Sequence, residues 1–242
     1  MDRYGGEGLL TRWAGRPAGD GAILLDMHVH STCSQDSLVP VNAILRTWET
    51  RGILSVVCDH NTTRGSEQLA REMRRRGCDI PGILAEEIMT SDGEIIGLFL
   101  TDEIPPHLSA AETLDRIHEQ GGLSLLPHPF CTFRNKSLER ALMDSLDARI
   151  DLVEGYNGRV IRDDENLLAR AYATRNGKPV TAGSDAHTRG ELGRTWLEIP
   201  PFSTPRELLR SLPEARVYFR PAGMEVHSVM NQSRSTRGTG RR

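Results

Sequence analysis

An α/β fold in a single domain, with a mainly parallel sheet closed into a barrel, is what this sequence predicts. Three observations predict it. Short apolar runs alternate with helical stretches about seven times along the chain. The 242 residues are 38% hydrophobic and 26% charged, enough for one sizeable core. Side chains able to do chemistry recur just past the C-terminal ends of five predicted strands. In a barrel those ends ring one mouth, whereas in an open sheet five consecutive strands would not converge on one point.

The elements follow in order. Residues 23–28 read as a strand, 41–51 as a helix with Pro40 near its start, and 53–58 as a strand. Residues 65–76 form a charged amphipathic helix that Gly77 ends. Strands follow at 80–85 and 94–100. Ser109 with Glu112 three residues on is a capping box for a helix over 110–119. Residues 123–126 are a strand stopped by Pro127, 137–145 a helix and 151–154 a strand. A helix over 163–175 closes at Gly177, and 180–182 is a strand. A last helix and strand fall at 207–212 and 217–219. The units share no sequence period, which excludes a solenoid.

The apolar runs are too short to span a bilayer. Residues 1–22 are Gly-rich and read as a leader. They carry Asp2 and Glu7 and no apolar h-region, so no secretory signal is expected. Cys33, Cys58, Cys78 and Cys131 show no C-x-x-C spacing and read as reduced thiols of a cytoplasmic protein. Of 30 basic residues all but Lys136 and Lys178 are arginine, which suits phosphate recognition. Net charge is −3. Residues 228–242 hold four arginines and no acid and read as a disordered basic tail. The remaining acidic body argues against duplex nucleic acid as a partner.

The first strand ends in D-M-H-V-H. Alternation along a strand points Asp26, His28 and His30 to one face. Later strands run into Asp59-His60-Asn61, Glu86-Glu87, Pro127-His128-Pro129 and Ser184-Asp185-Ala186-His187. Imidazoles and carboxylates without a thiolate frame suit Zn, Mn or Fe. His28, His30, Asp36, His60, Glu87, His128, Asp185 and His187 are too many for one ion and enough for two or three sharing a bridging carboxylate. Such sites hydrolyse: the ions generate hydroxide near neutral pH and polarise a phosphoryl or carbonyl oxygen. Arg64, Arg134, Arg159 and Arg189 lie in loops on the same side; Arg134 and Arg159 are the substrate-binding candidates, with Asn157 at a further strand end. Glu154 reads equally as helix-facing or as a support behind the ligands. His107, His118 and His227 read as surface histidines.

D-M-H-V-H-S-T-C-S-Q-D-S, then D-H-N, E-E-I, H-P-F and G-S-D-A-H, resembles the PHP (polymerase and histidinol phosphatase) superfamily over residues 23–193. The resemblance implies a distorted (β/α)7 barrel with two or three divalent metals, usually in a phosphoesterase. Carried over, His28 and His30 would hold the first metal with Glu87 and Asp185. Glu87 would bridge to a second metal completed by His128, and Asp36, His60 and His187 would hold a third. The choice of Glu87 over Glu86 follows the family's Glu–aliphatic pattern. One position departs: where many members have H-x-x-G, this chain reads Glu94-Ile95-Ile96-Gly97. Either Glu94 is a ligand that shifts preference toward Mn or Fe, or it is a solvated turn residue beside a weak second metal.

The expected function is therefore metal-dependent hydrolysis of a small phosphate ester by metal-bridged hydroxide. Asp185, His187 and Glu87 are the catalytic residues, with His187, or Asp185 through water, assisting the leaving alkoxide. The expected partner is a small phosphorylated molecule such as a sugar phosphate or nucleotide, and no membrane. Two other readings are a non-catalytic PHP module and an amidohydrolase-like enzyme cleaving a C–N bond. Oligonucleotide trimming is less favoured.

Overall fold

The structure, a computed structural model, describes residues 21–77, 83–133 and 136–222. The expected leader (apart from residues 21 and 22), the basic tail, Cys78, Arg134 and His227 lie outside the described residues. Within them the chain runs β1 (Ile23–Val29), α1 (Val41–Arg51), β2 (Ile53–Val57), α2 (Arg64–Arg75), β3 (Ala85–Met89), β4 (Glu94–Leu98), α3 (Ala110–Glu119), β5 (Leu123–Leu126), α4 (Arg140–Leu146), β6 (Leu152–Asn157), α5 (Asp163–Arg175), β7 (Val180–Gly183), β8 (Thr195–Ile199), α6 (Pro205–Ser211) and β9 (Arg216–Phe219).

Local signals explain the helix ends. The α1 helix begins after extended Pro40 and stops at Gly52, whose φ of 72° is the left-handed conformation that costs glycine little. Ser109 and Glu112 form the capping box of α3, and Thr204 caps α6 with Pro205 at its first position.

The strands form two sheets, ordered β2-β1-β8-β9 and β3-β4-β5-β6-β7. This corrects the expected (β/α)7 barrel, because the ladders do not close into one. Two things separate the fold from that barrel. The β3–β4 and β4–β5 pairs are antiparallel, and β8 returns antiparallel along β1, so the sheet is mixed. Among the described residues the sheets are joined by single bridges, Val29↔Ala186 and His60↔Glu87. Val29, Ala186 and His60 lie at or just past the C-terminal ends of β1, β7 and β2, and Glu87 is at the middle of β3, so these elements still meet without a closed barrel.

Two apolar clusters hold the layers. In β1, Leu25, Met27 and Val29 face one cluster with Ile44, Leu45, Leu69 and Leu208, beneath α1, α2 and α6. The other gathers Leu114, Ile117, Met143 and Tyr172 beneath α3, α4 and α5. Burying such side chains stabilises by roughly 1.5–3 kcal/mol each. Among the described residues no helix is long and apolar enough to cross a membrane.

Candidate metal centre

Alternation in β1 turns Leu25, Met27 and Val29 to the core and leaves Asp26, His28 and, just beyond, His30 on the opposite face. All three are fully buried. A buried polar side chain needs a partner, and the partners of His28 and His30 fix how each ring sits.

Nδ1 of His28 is 3.0 Å from Glu154 Oε1, an acceptor, so this nitrogen carries the proton. Nδ1 of His30 is 3.1 Å from Ser34 Oγ. That hydroxyl gives its own hydrogen to Asp59 at 2.8 Å, so it accepts from His30. His187 donates from Nδ1 to the Asp185 carbonyl at 2.8 Å. In all three neutral rings Nε2 is therefore bare and aimed inward.

The bare nitrogens of His28 and His30 stand 3.0 Å apart. Two lone pairs at that distance repel unless a cation lies between them. Within the protein alone a proton supplies it. Burial disfavours charge on His28, but Cys58, Asp185, Glu154 and Glu87 outweigh burial and hold this imidazole well above its usual range. Burial pushes His30 down to about 3. A metal ion meets the same need with better geometry. Donors bonded to one ion at about 2.0–2.2 Å lie about 3.0–3.6 Å from one another. Glu87 Oε2 is 3.3 Å from His30 Nε2, Glu87 Oε1 3.6 Å from His28 Nε2, and Asp185 Oδ1 is 3.6 and 3.7 Å from the two nitrogens. The donors fit divalent ions.

The other candidates join the cluster. His128 Nε2 is 3.2 Å from Glu87 Oε1, and His60 Nδ1 is 3.0 Å from Glu87 Oε2. Asp36 lies 3.5 Å from His60 Nε2 and 3.6 Å from His187 Nε2. These two imidazoles overcome burial and hold the Asp36 carboxyl well below its usual range. Four sets (His28, His30, Cys58; His30, His60, His187; His28, His128, Asp185; His60, Glu87, Glu94) each bring one donor atom per residue within 4.8 Å. The structure thus gathers His28, His30, Asp36, His60, Glu87, Glu94, His128, Asp185 and His187 at one place. His60 and Asp36 are its exposed rim, with side chains 17% and 15% accessible.

Glu94 opens β4 and is 1% exposed, which overturns the solvated-turn alternative. Glu86 points away from Glu87, accepts from the Ile104 amide at 2.6 Å, and is pushed up to about 7 by burial. The backbone is strained here: His128 and Asp185 have φ of 27° and 52°, and Asn61, beside His60, 54°. Such conformations cost of order 1–3 kcal/mol and persist where surrounding bonds hold them.

Supporting residues lie behind the candidate ligands. Asn157 is fully buried and donates to Glu154 and Asp185 at 2.9 and 3.0 Å, so it orders two carboxylates and does not face a substrate. Glu154 also accepts from the His128 amide at 2.9 Å. Arg159 is 7% exposed and pairs with Glu191 at 3.0 Å. Glu191 in turn accepts from the amides of His187 and Thr188, so Arg159 steadies the loop that carries His187. Asp59 binds Ser31 and Ser34, and Gly65 leaves room for it: a Cβ at Gly65 would meet Asp59 Oδ2. Arg64 bonds Thr62 at the start of α2. Away from the centre, His118 is not a surface residue: it is half-buried, 2.8 Å from Asp151. Cys58 and Cys131 are buried and Cys33 is half-buried, and none of the three is in a disulfide.

Glu154→Gln keeps the side chain's shape and removes the charge behind His28. Carboxylates in that position raise ligand basicity, and their loss costs about 10–100-fold in metal affinity. Chelator competition on the purified variant should show that weakening with the fold retained. Unchanged affinity would detach Glu154 from the centre.

Comparison with known proteins bears on the fold. A family profile described as PHP-associated matches residues 163–217. Uncharacterized protein MJ0417 of Methanocaldococcus jannaschii is 37% identical over 200 residues, covering 78% of each chain. A two-domain protein from Bacteroides vulgatus, described as containing a predicted PHP-like metal-dependent phosphoesterase, superposes with a TM-score of 0.66 at 18% identity. That match covers 89% of this chain and 70% of the other. An amidohydrolase from Chromobacterium violaceum, crystallised with sulfate and no metal, gives a TM-score of 0.54 at 18% identity, over 69% of this chain and 88% of the other. The fold is that of PHP-like proteins. The chain belongs to the PHP superfamily.

Proposed function

We propose that this protein is a metal-dependent phosphoesterase acting on a small phosphate ester. The observation that carries the reading is the convergence of bare imidazole nitrogens, His28 Nε2 and His30 Nε2 at 3.0 Å, with Glu87 and Asp185. In this reading His28, His30, Glu87 and Asp185 hold one of two or three divalent ions (Mn, Fe or Zn). His128 and Glu94, and Asp36, His60 and His187, offer further places. Bound there, the ions supply Lewis-acid polarisation of a phosphoryl oxygen and acidify water.

The chain's own residues do the rest. The rim formed by Asp36 and His60 admits the ester, while the wholly buried His28, His30 and Asp185 exclude bulk water around the first ion. Glu87 sits between the His28–His30 pair and the His60–His128 pair and ties the ion places together. Of the two proton carriers, His187 is the better placed. Asp185 Oδ2 is held by Asn157, whereas His187 presents a bare Nε2 toward Asp36 and, where no ion takes that atom, can accept a proton there from the attacking water and hand it on to the leaving oxygen. Residues 23–227 act as one domain on a sugar phosphate or a nucleotide.

The amidohydrolase among the fold neighbours makes C–N cleavage the second reading. A phosphate-release screen over sugar phosphates and nucleotides, with Mn, Fe and Zn supplied separately, tests the first. Metal-dependent release above the metal-free control is the expected result. Cleavage of amides alone would move the protein to the second reading. A folded, metal-loaded protein inert to both classes would be a non-catalytic module.

A further inference from the structure

We propose that the ammonium of Lys136 takes the place of one divalent ion at the Glu94 corner of the cluster, so that the centre loads two ions where its donors could hold three. The inference rests on the metal-centre reading above.

Glu94, Glu87 and His60 each turn one donor atom to a common spot. The Glu94 atom nearest His60 is Oε1, 3.7 Å from Nδ1. That same oxygen accepts a hydrogen bond from Lys136 Nζ at 2.8 Å. Glu94 is 1% exposed and a buried carboxylate needs a cation or donors; here the ammonium serves. A divalent ion bonded to the same oxygen would stand close to that ammonium, and like charges repel strongly where water is scarce.

The backbone is built to deliver the lysine. The amide of Glu94 donates to the Lys136 carbonyl at 2.9 Å. Gly93, at φ 142°, lets that loop approach: a Cβ there would lie 2.8 Å from the Lys136 carbonyl oxygen. Residue choice points the same way. This chain uses arginine for nearly every cation, and Lys136 is one of two lysines. A compact ammonium fits an ion-sized space, where a guanidinium fork does not. Four carboxylates, Asp36, Glu87, Glu94 and Asp185, meet here. Two divalent ions and one ammonium offset these four, with the Glu154 carboxylate behind His28 taking up the remaining charge.

The test is metal stoichiometry, read by elemental analysis after loading with Mn and desalting. Wild type should hold two equivalents, and Lys136→Met should gain about one more. The double variant Lys136→Met with Glu94→Gln should return to the wild-type value, because the freed oxygen has lost its charge. Lys136 is one-third exposed, so the fold should survive; if the methionine variant does not fold, Lys136→Gln is read in the same way. Unchanged or lower stoichiometry in the lysine variant would overturn the proposal while leaving the metal centre standing. A wild type that takes up no ion, with a lysine variant that takes up none, would overturn both.

Discussion

His28→Ala should abolish hydrolysis and strip metal from the protein while leaving it folded. The ring supplies one of the paired Nε2 donors, and no other nearby residue can supply that nitrogen from the same strand position. The side chain lies on the face of β1 opposite Leu25, Met27 and Val29, so the apolar core is untouched. Removing the ring takes one partner from Glu154, which keeps its bonds to the His128 amide and Asn157. Turnover should fall on the order of 10³-fold, or about 4 kcal/mol of transition-state stabilisation. Asp185→Ala should do the same. Elemental analysis beside a thermal melt separates the two effects. Near wild-type turnover at saturating metal in either variant would remove that residue from the centre.

Gly183→Ala should be a strongly damaging small substitution. Gly183 ends β7 where β1 passes closest. A Cβ there would stand 2.3 Å from His28 Cβ, 2.7 Å from Glu154 Oε1 and 2.9 Å from the His28 amide nitrogen. Real Cβ atoms do not tolerate such contacts, so β1 must move away from β7. Overpacking of this kind costs roughly 2–3 kcal/mol, a fall in Tm of about 5–10 °C for a chain of this size. Because the displaced atoms belong to His28 and its supporting carboxylate, metal affinity should fall together with Tm. Gly190→Ala is the control, since a Cβ there meets nothing within 4 Å. Equal Tm and equal metal content in the two variants would refute the packing argument.

The parts of the centre legible in the sequence were those whose polar residues keep the period of their strand. D-M-H-V-H alternates, so β1 and its inward histidines can be read directly. Glu86-Glu87 does not alternate, and two adjacent acids resemble a loop. The expected strand at 80–85 therefore stopped short of β3, which runs through both. Hydrophobic period assumes an apolar inward face, and a strand that lines a metal centre has a polar one. The β8 strand was missed although Thr195-Trp196-Leu197-Glu198-Ile199 alternates buried and half-exposed. That period was the available signal, but no catalytic motif drew attention to it. Lys136 left no trace as a site residue, because its partner Glu94 lies 42 residues away in the chain and only the fold joins them. Asn157 was placed at the right strand end, but sequence does not reveal that both its amide hydrogens are spent on carboxylates.

The two sheets touch along seams that are almost bare of ladder. Among the described residues, the backbone bonds that join them include His30 N to Ala186 O, Asp185 N to His28 O, Asn61 N to Glu87 O and Glu87 N to Asp59 O. Every one involves a candidate ligand or its immediate neighbour. An ion gripped by His28 and His30 from one sheet and by Glu87 and Asp185 from the other is therefore also a rivet. At an ion concentration about 100 times its Kd, each such rivet adds about 2.7 kcal/mol to the closed form. The seams belong to the same few residues as the chemistry, so a cell short of the metal would lose the protein's rigidity along with its turnover. Starvation for the ion would then be felt as instability, and the abundance of the protein would track the metal supply.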